Sequence, residues 1–546
     1  MTKLQKIRKN LISYIIAGAL VASVLVFVLY PFMCMLVRSF HINGLFCFDN
    51  YANVITKYKQ QMLNSIYVGV IVSIFTCILS VIVSLFISMR NKILKEILTL
   101  IILLAFVSPP FVSSLSYLIL YGRRGVISYG IFGLSLNPYN KYGIILMQII
   151  SFAPLNIIYL ISLIKKIDKS IINSAVDLGA KGSAVLNDVV LPFMKNGMLV
   201  TFVLTFVRSI CDFATPTIVG GRYSTFSSEI YMQIVGFSNI DIAAAMNVIL
   251  MVPSLLIFVI YIKLANKYEN TTISRTNIIN KLNLKQLGIE GVIINLISLL
   301  YLFIILMQYA AIFFYAMFKK SNSIYVFTTE YIEKFYKYDF SSLVRSILYA
   351  VIVSFTCVTM SIIFSYIYRG RKKQNKLYDI LNIIIMIPFM IPGTYFGLSY
   401  ILAFNKAPIK LTGTAIIVIT NIIFKQLPIT SKMCEGAFAQ IPKELENSCL
   451  DLGGKSQNVI IDVIIPKIKN VISSMVLYNF NGAMTTAGSI LFLITPGKNL
   501  AIFDLFDSIY IGEYHEACVF ASMIIVVVIA FSLIMKLFER ERVNVV

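Results

Sequence analysis

The chain reads as an all-α polytopic membrane protein of about twelve transmembrane helices, built as two six-helix repeats. Three observations carry that reading. Apolar residues make up 58% of the 546 positions and charged residues 13%, with a mean hydropathy of +0.84, whereas soluble chains are roughly one-quarter charged. Long apolar runs recur along the whole length, each close to the ~20 residues that cross a bilayer as a helix. Polar residues in one half recur in the other at a nearly constant offset, the mark of a duplicated unit.

The first run, 11–37, is too long for the apolar core of a signal peptide and lacks a clear small-residue cleavage site, so it reads as a span. Runs at 65–88, 97–121, 142–164, 197–217 and 242–265 complete a first half, 1–266. The polar stretch 267–288, with Asn270-Thr271-Thr272 and Lys281, is then a linker. A second half, 289–546, holds runs at 289–317, 345–368, 378–404, 413–430, 471–493 and 515–537. Pro109-Pro110 and Pro388 with Pro392-Gly393 interrupt the third run of each half and mark bends or helix ends.

Net charge is +22, from 47 Lys and Arg against 25 Asp and Glu. The basic residues cluster beside spans: Lys3, Lys6, Arg8 and Lys9; Arg90, Lys92 and Lys95; Arg369, Arg371, Lys372, Lys373 and Lys376. That placement follows the positive-inside bias and argues for lipid, not nucleic acid, as the partner. An even number of spans with a basic N-terminus puts both termini and the linker in the cytoplasm, and Lys536, Arg540 and Arg542 agree. Loops 39–62 and 319–343 fall outside; the second carries Lys319, Lys320, Lys334 and Lys337, so the rule acts as a bias. The eight cysteines form no CxxC pair and the two histidines, His41 and His515, stand apart, so no metal site is drawn.

The internal repeat is explicit. Val70-Ile71-Val72-Ser73 returns as Val351-Ile352-Val353-Ser354, and Leu115-Ser116-Tyr117 as Leu398-Ser399-Tyr400. In the loop after the fourth span, Ile167, Asn173, Ser174, Asp177, Leu178, Gly179, Lys181, Asp188, Pro192 and Asn196 return at a constant offset as Ile441, Asn447, Ser448, Asp451, Leu452, Gly453, Lys455, Asp462, Pro466 and Asn470. Both copies run in the same direction with six spans each, which predicts halves related by a pseudo-two-fold along the membrane normal and a pathway between them.

Each repeated loop, 167–192 and 441–466, predicts a helix with marked ends. Asp168 caps the first, Pro442 suits the first turn of the second, and Gly179 and Gly453 stand where a left-handed residue closes it. A second short helix is expected to stop near Pro192 or Pro466. Ile171, Ala175 and Leu178 form an apolar stripe beside a polar face with Asn173 and Asp177, which suits either docking into a partner's groove or packing against the chain's own helices. The pattern Ile-Asp-x-x-Ile-x-x-x-Ala-x-Asp-Leu-Gly-Ala with a later Leu-Pro resembles the EAA loop of binding-protein-dependent ABC importer permeases. The Glu-Ala-Ala triplet itself is replaced by Asn173-Ser174-Ala175 and Asn447-Ser448-Cys449. The resemblance implies that Asn173, Ser174, Ala175, Asp177, Gly179, Pro192, Asn447, Ser448, Cys449, Asp451, Gly453 and Pro466 meet a separate ATPase, a homodimer carrying ATP and Mg. It also implies an extracytoplasmic solute-binding protein.

Segments around Cys211-Asp212-Phe213-Ala214-Thr215-Pro216 and Ala483-Met484-Thr485-Thr486 resemble fused permeases of the iron(III) and 2-aminoethylphosphonate group, with thiamine and polyamine permeases as near relatives. Iron(III), free or chelated, is the implied solute. Arg208 and Asp212, one turn apart at the end of the fifth span, read as lumen-facing residues or as a local ion pair. Thr215 and, in the second half, Thr485, Thr486 and Ser489 join them as pathway candidates. Gly453-Gly454-Lys455-Ser456 is no phosphate loop, because position 449 is Cys449 where the motif needs glycine. The chain is therefore read as a transport subunit without catalysis or cofactor of its own. An ion-coupled secondary transporter is the alternative from another class; it favours paired intramembrane carboxylates, of which Asp212 is the prominent one.

Overall fold

The structure, a computed structural model, describes residues 15, 17–42, 45–135, 137–268, 288–321, 324–371 and 376–541. Most of the linker 267–288 and the first basic cluster lie outside those residues. The described chain is almost wholly helical. Among the described residues, eight helices are long and apolar enough to cross a membrane, or ten when each of two bent pairs counts as one span. Two of the twelve expected runs fall short of that measure. Helix Ala415–Ala439 is diluted by Asn421, Lys425 and Gln426, and helix Lys469–Thr485 is only 17 residues long. The prolines do break the third run of each half: Lys92–Val107 meets Phe111–Tyr121 at 98°, and Ile380–Met390 meets Gly393–Phe404 at 112°.

The helices gather into two compact units that do not coincide with the sequence halves. A middle unit comprises Tyr51–Tyr336 and Leu505–Ser522; a split unit comprises Met1–Asn50, Lys337–Asp504 and Met523–Val546. Helix Ile289–Met317, the first of the second half, thus belongs with the first half's helices, packing on Lys59–Ser88 and Phe111–Tyr121. The opening segment Ala17–Ser39 belongs to the split unit, where Tyr395 and Tyr400 donate to the carbonyls of Phe32 at 3.0 Å and Phe27 at 2.7 Å.

Within the middle unit, helix Lys59–Ser88 packs on Lys141–Ile164 and Leu191–Cys211. It does so through a buried stripe of small residues, Gly69, Ser73, Cys77, Ser80 and Ser84. In the split unit, helix Phe340–Arg371 packs on Ala415–Ala439 and Lys469–Thr485 through Ala350, Ser354, Cys357, Ser361 and Ser365. Apolar burial gives little drive between helices in lipid, so close backbone approach over small side chains takes its place. Two short antiparallel hairpins, unforeseen in the sequence, follow the first helix of each half: His41–Ile42 with Leu45–Phe46, and Phe318–Ser321 with Ile324–Phe327.

Candidate functional site

The two repeated loops adopt one backbone design. Asp168 is extended and its carboxylate accepts from the Ser170 N–H at 3.0 Å, opening helix Lys169–Asp177. That helix closes with the Ala180 N–H on the Ala175 carbonyl at 3.0 Å and the Gly179 N–H on Val176 at 2.9 Å. In the second loop, helix Lys443–Asp451 closes with Gly454 on Cys449 at 2.9 Å and Gly453 on Leu450 at 3.0 Å. Gly179 and Gly453 have φ of +85° and +84°, where any side chain is strained, so glycine is the residue that lets the helix end there. Pro442 stands one position earlier than expected, as the N-cap.

The expected stop at the second proline does not occur in the first loop. Helix Gly182–Val185 runs through a π turn, Leu186–Val190, into Leu191–Cys211, with Pro192 in the first turn of that segment. The second loop has the same π turn, Val459–Ile464, before Pro466. Proline lacks the N–H that an unbroken ladder needs, and a wide turn next to it lets the chain stay helical.

Exposure separates the two readings of the apolar stripe. Leu178 is 89% exposed and its repeat mate Leu452 is 90% exposed. Ile171, Val176, Leu445 and Leu450 are exposed as well, while Ile167 and Ile172 are buried beneath the first helix. The helix is therefore held from one side and bare on the other. Asn173, Ala175 and Cys449 are partly buried; Ser174, Asp177, Asn447, Ser448, Asp451, Pro192 and Pro466 are exposed.

The loops differ in what holds them. At the position of Ile172 the second loop has Glu446, 3.0 Å from the Arg369 guanidinium, which also donates to the carbonyls of Phe438 and, at 2.6 Å, Ile441. Arg369, grouped by sequence with the loop charges, is instead an anchor at the end of helix Phe340–Arg371.

Among the pathway candidates, Asp212 ends helix Leu191–Cys211, so it has left the helix that carries Arg208. Its carboxylate accepts from the Gln148 amide at 2.9 Å and from the N–H groups of Ala214 at 3.0 Å and Thr215 at 3.4 Å. Gln148 in turn accepts from Ser209 at 2.6 Å. The Arg208 guanidinium lies 4.5 Å from the centre of the Phe152 ring. Thr486 occupies the matching place, ending helix Lys469–Thr485 with nearly the same backbone angles. Thr485 and Thr486 donate to carbonyls of their own helix, those of Asn481 and Gly482. Ser489 is buried and its hydroxyl has no hydrogen-bond partner among the described residues.

Sequence reasoning missed Gln148 and a buried pair that the repeat offset could have found. The Asn156 amide donates to Thr205 at 2.7 Å, and at the same offset Thr430 donates to Asn479 at 2.9 Å, with the two residue types exchanged. A search for identities passes over such an exchange.

Residues 78–270 and 357–540 each match the family described as the binding-protein-dependent transport system inner membrane component. The chain is 27% identical over 539 residues to the ferric transport system permease protein FbpB of Actinobacillus pleuropneumoniae, covering 95% of this chain and 77% of that one. It is 28% identical over 503 residues to the putative ferric transport system permease protein FbpB 1 of Haemophilus influenzae, covering 88% and 78%. To the putative 2-aminoethylphosphonate transport system permease protein PhnU of Salmonella typhi it is 26% identical over 161 residues, covering 28% and 56%.

Proposed function

The chain belongs to the family of binding-protein-dependent transport system inner membrane components, with one family domain in each half, and from that footing we propose how it works. It is a fused two-half permease subunit of an ABC importer and a multi-pass membrane protein. The solute we assign is iron(III), free or chelated. Support comes from the two ferric relatives, whose similarity runs over most of both chains, while the similarity to the 2-aminoethylphosphonate relative covers 28% of this one. 2-Aminoethylphosphonate is the second reading, on that shorter match; thiamine and polyamines follow it.

The observation that carries the mechanism is the pair of loops with one backbone geometry, each presenting a bare leucine. Two alike surfaces suit a symmetric partner, and the partner we assign is a homodimeric ATPase in the cytoplasm, which carries ATP and Mg. Both termini lie on that same side, and a solute-binding protein delivers from the other. Closure of the ATPase pulls on 167–192 and 441–466 and shifts the permease between states, which requires the ATPase to bind those states with different free energy. We assign Arg208 in the middle unit, and Thr485, Thr486 and Ser489 in the split unit, to solute passage. Asp212, engaged by Gln148 and by backbone N–H groups at Ala214 and Thr215, shapes the path by ordering that turn.

Leu178→Asp and Leu452→Asp test the reading. Burial of one leucine contributes about 2 kcal/mol, so each change should weaken co-purification with the ATPase roughly thirtyfold and lower uptake of radiolabelled iron(III). Unchanged assembly in both variants would overturn the docking role. Intact assembly with transport of another solute would overturn only the iron assignment.

A further inference from the structure

A span interrupted by proline must find donors for the carbonyls its ladder abandons, because lipid supplies none. In the split unit the interruption lies between Ile380–Met390 and Gly393–Phe404. The Ile391 N–H closes the last turn on the Ile387 carbonyl at 3.2 Å. The next N–H in register would serve the Pro388 carbonyl, but residue 392 is proline and has none. Lys425, on helix Ala415–Ala439, takes that place. Its ammonium donates to Pro388 at 2.6 Å and to Ile391 at 3.0 Å, with the Phe396 ring centre 5.7 Å away.

The break in the middle unit is served differently. There Ser108 and Tyr309 donate their hydroxyls to the Leu104 carbonyl at 3.0 and 3.3 Å. At that break the side-chain donors to the carbonyl of Leu104 are neutral hydroxyls, where the other break uses a cation for two carbonyls. A cation suits the carbonyl end of a helix, yet a charge within a spanning region is costly and marks function more often than scaffolding.

We propose that Lys425 is a positioning residue of the transport cycle, a charged pin that holds the second broken span at its bend and is released and remade as that span moves. The proposal rests on the transport reading above. It makes the two breaks unequal: the one in the split unit is governed by a charge, the one in the middle unit by hydroxyls.

The test compares K425M and K425R with the parent in the full chain. Hydrogen exchange of the purified protein reports segments 380–404 and 92–121, and cells carrying the whole transport system report uptake of radiolabelled ferric citrate. For K425M, exchange over 380–404 should quicken at least about tenfold while 92–121 keeps the parent rate. Maximal uptake should fall about tenfold with the half-saturating concentration unchanged. K425R should restore both. Parent-like exchange in K425M overturns the proposal, as does K425R behaving like K425M. A global loss of fold in K425M also overturns it, since Lys425 would then be a folding residue. If the parent itself takes up no iron, the solute assignment fails and the exchange comparison still decides the role of Lys425.

Discussion

Asn156 and Thr205 are both buried, and so are Thr430 and Asn479, which take their places in the other half. In the first pair an amide donates to a hydroxyl; in the second a hydroxyl donates to an amide oxygen. Either order satisfies both partners, so the geometry survives an exchange that leaves no identity behind. Thr205→Val strands the Asn156 amide in an apolar setting, at a cost of roughly 1–2 kcal/mol. The double variant Asn156→Thr, Thr205→Asn rebuilds the second half's arrangement in the first. Thermal unfolding in detergent should show the single change destabilised and the double change close to the parent. A double variant no better than the single one would mean that the surroundings of the two pairs are not equivalent.

Elements were legible in the sequence where local chemistry dictates them. Gly179 and Gly453 announce a left-handed helix end, Asp168 announces a cap, and the third-span prolines announce a break; each depends on a few neighbouring residues. What depends on distant partners was not legible. Nothing near Arg369 says that its guanidinium reaches Glu446 and two carbonyls, and nothing near Ile172 says that it is buried where Glu446 is ion-paired. The two loops should therefore respond differently to loss of charge. Arg369→Gln removes a partner of a largely buried carboxylate and should loosen helix Lys443–Asp451 by on the order of 1–3 kcal/mol. Helix Lys169–Asp177, held by Ile167 and Ile172, should keep its rate of hydrogen exchange. Equal loosening of both would show that the anchors are coupled.

At the scale of the whole molecule, the compact units cut across the halves that the repeat defines. Segment 1–268 made alone lacks helix Ile289–Met317, which packs against its own Lys59–Ser88 and Phe111–Tyr121. Segment 288–546 made alone lacks Phe27 and Phe32, whose carbonyls accept from Tyr400 and Tyr395. Each fragment should therefore be degraded when expressed singly and rescued when the two are expressed together, as judged by accumulation in membranes and by co-purification. Stable accumulation of either fragment by itself would show that the shared helices add little.

The same arrangement has a consequence for synthesis. The carbonyls of Phe32 and Phe27 wait for hydroxyls that lie 363 and 373 residues further along the chain. At ribosomal speeds of about 5–20 residues per second, that delay is roughly 20–70 s. During it, the opening helix sits in the bilayer without its permanent neighbours, exposed to quality-control proteases and to wrong pairings. Insertion of this chain is thus a problem of custody, and the cell must shelter helix Ala17–Ser39 until helix Gly393–Phe404 arrives.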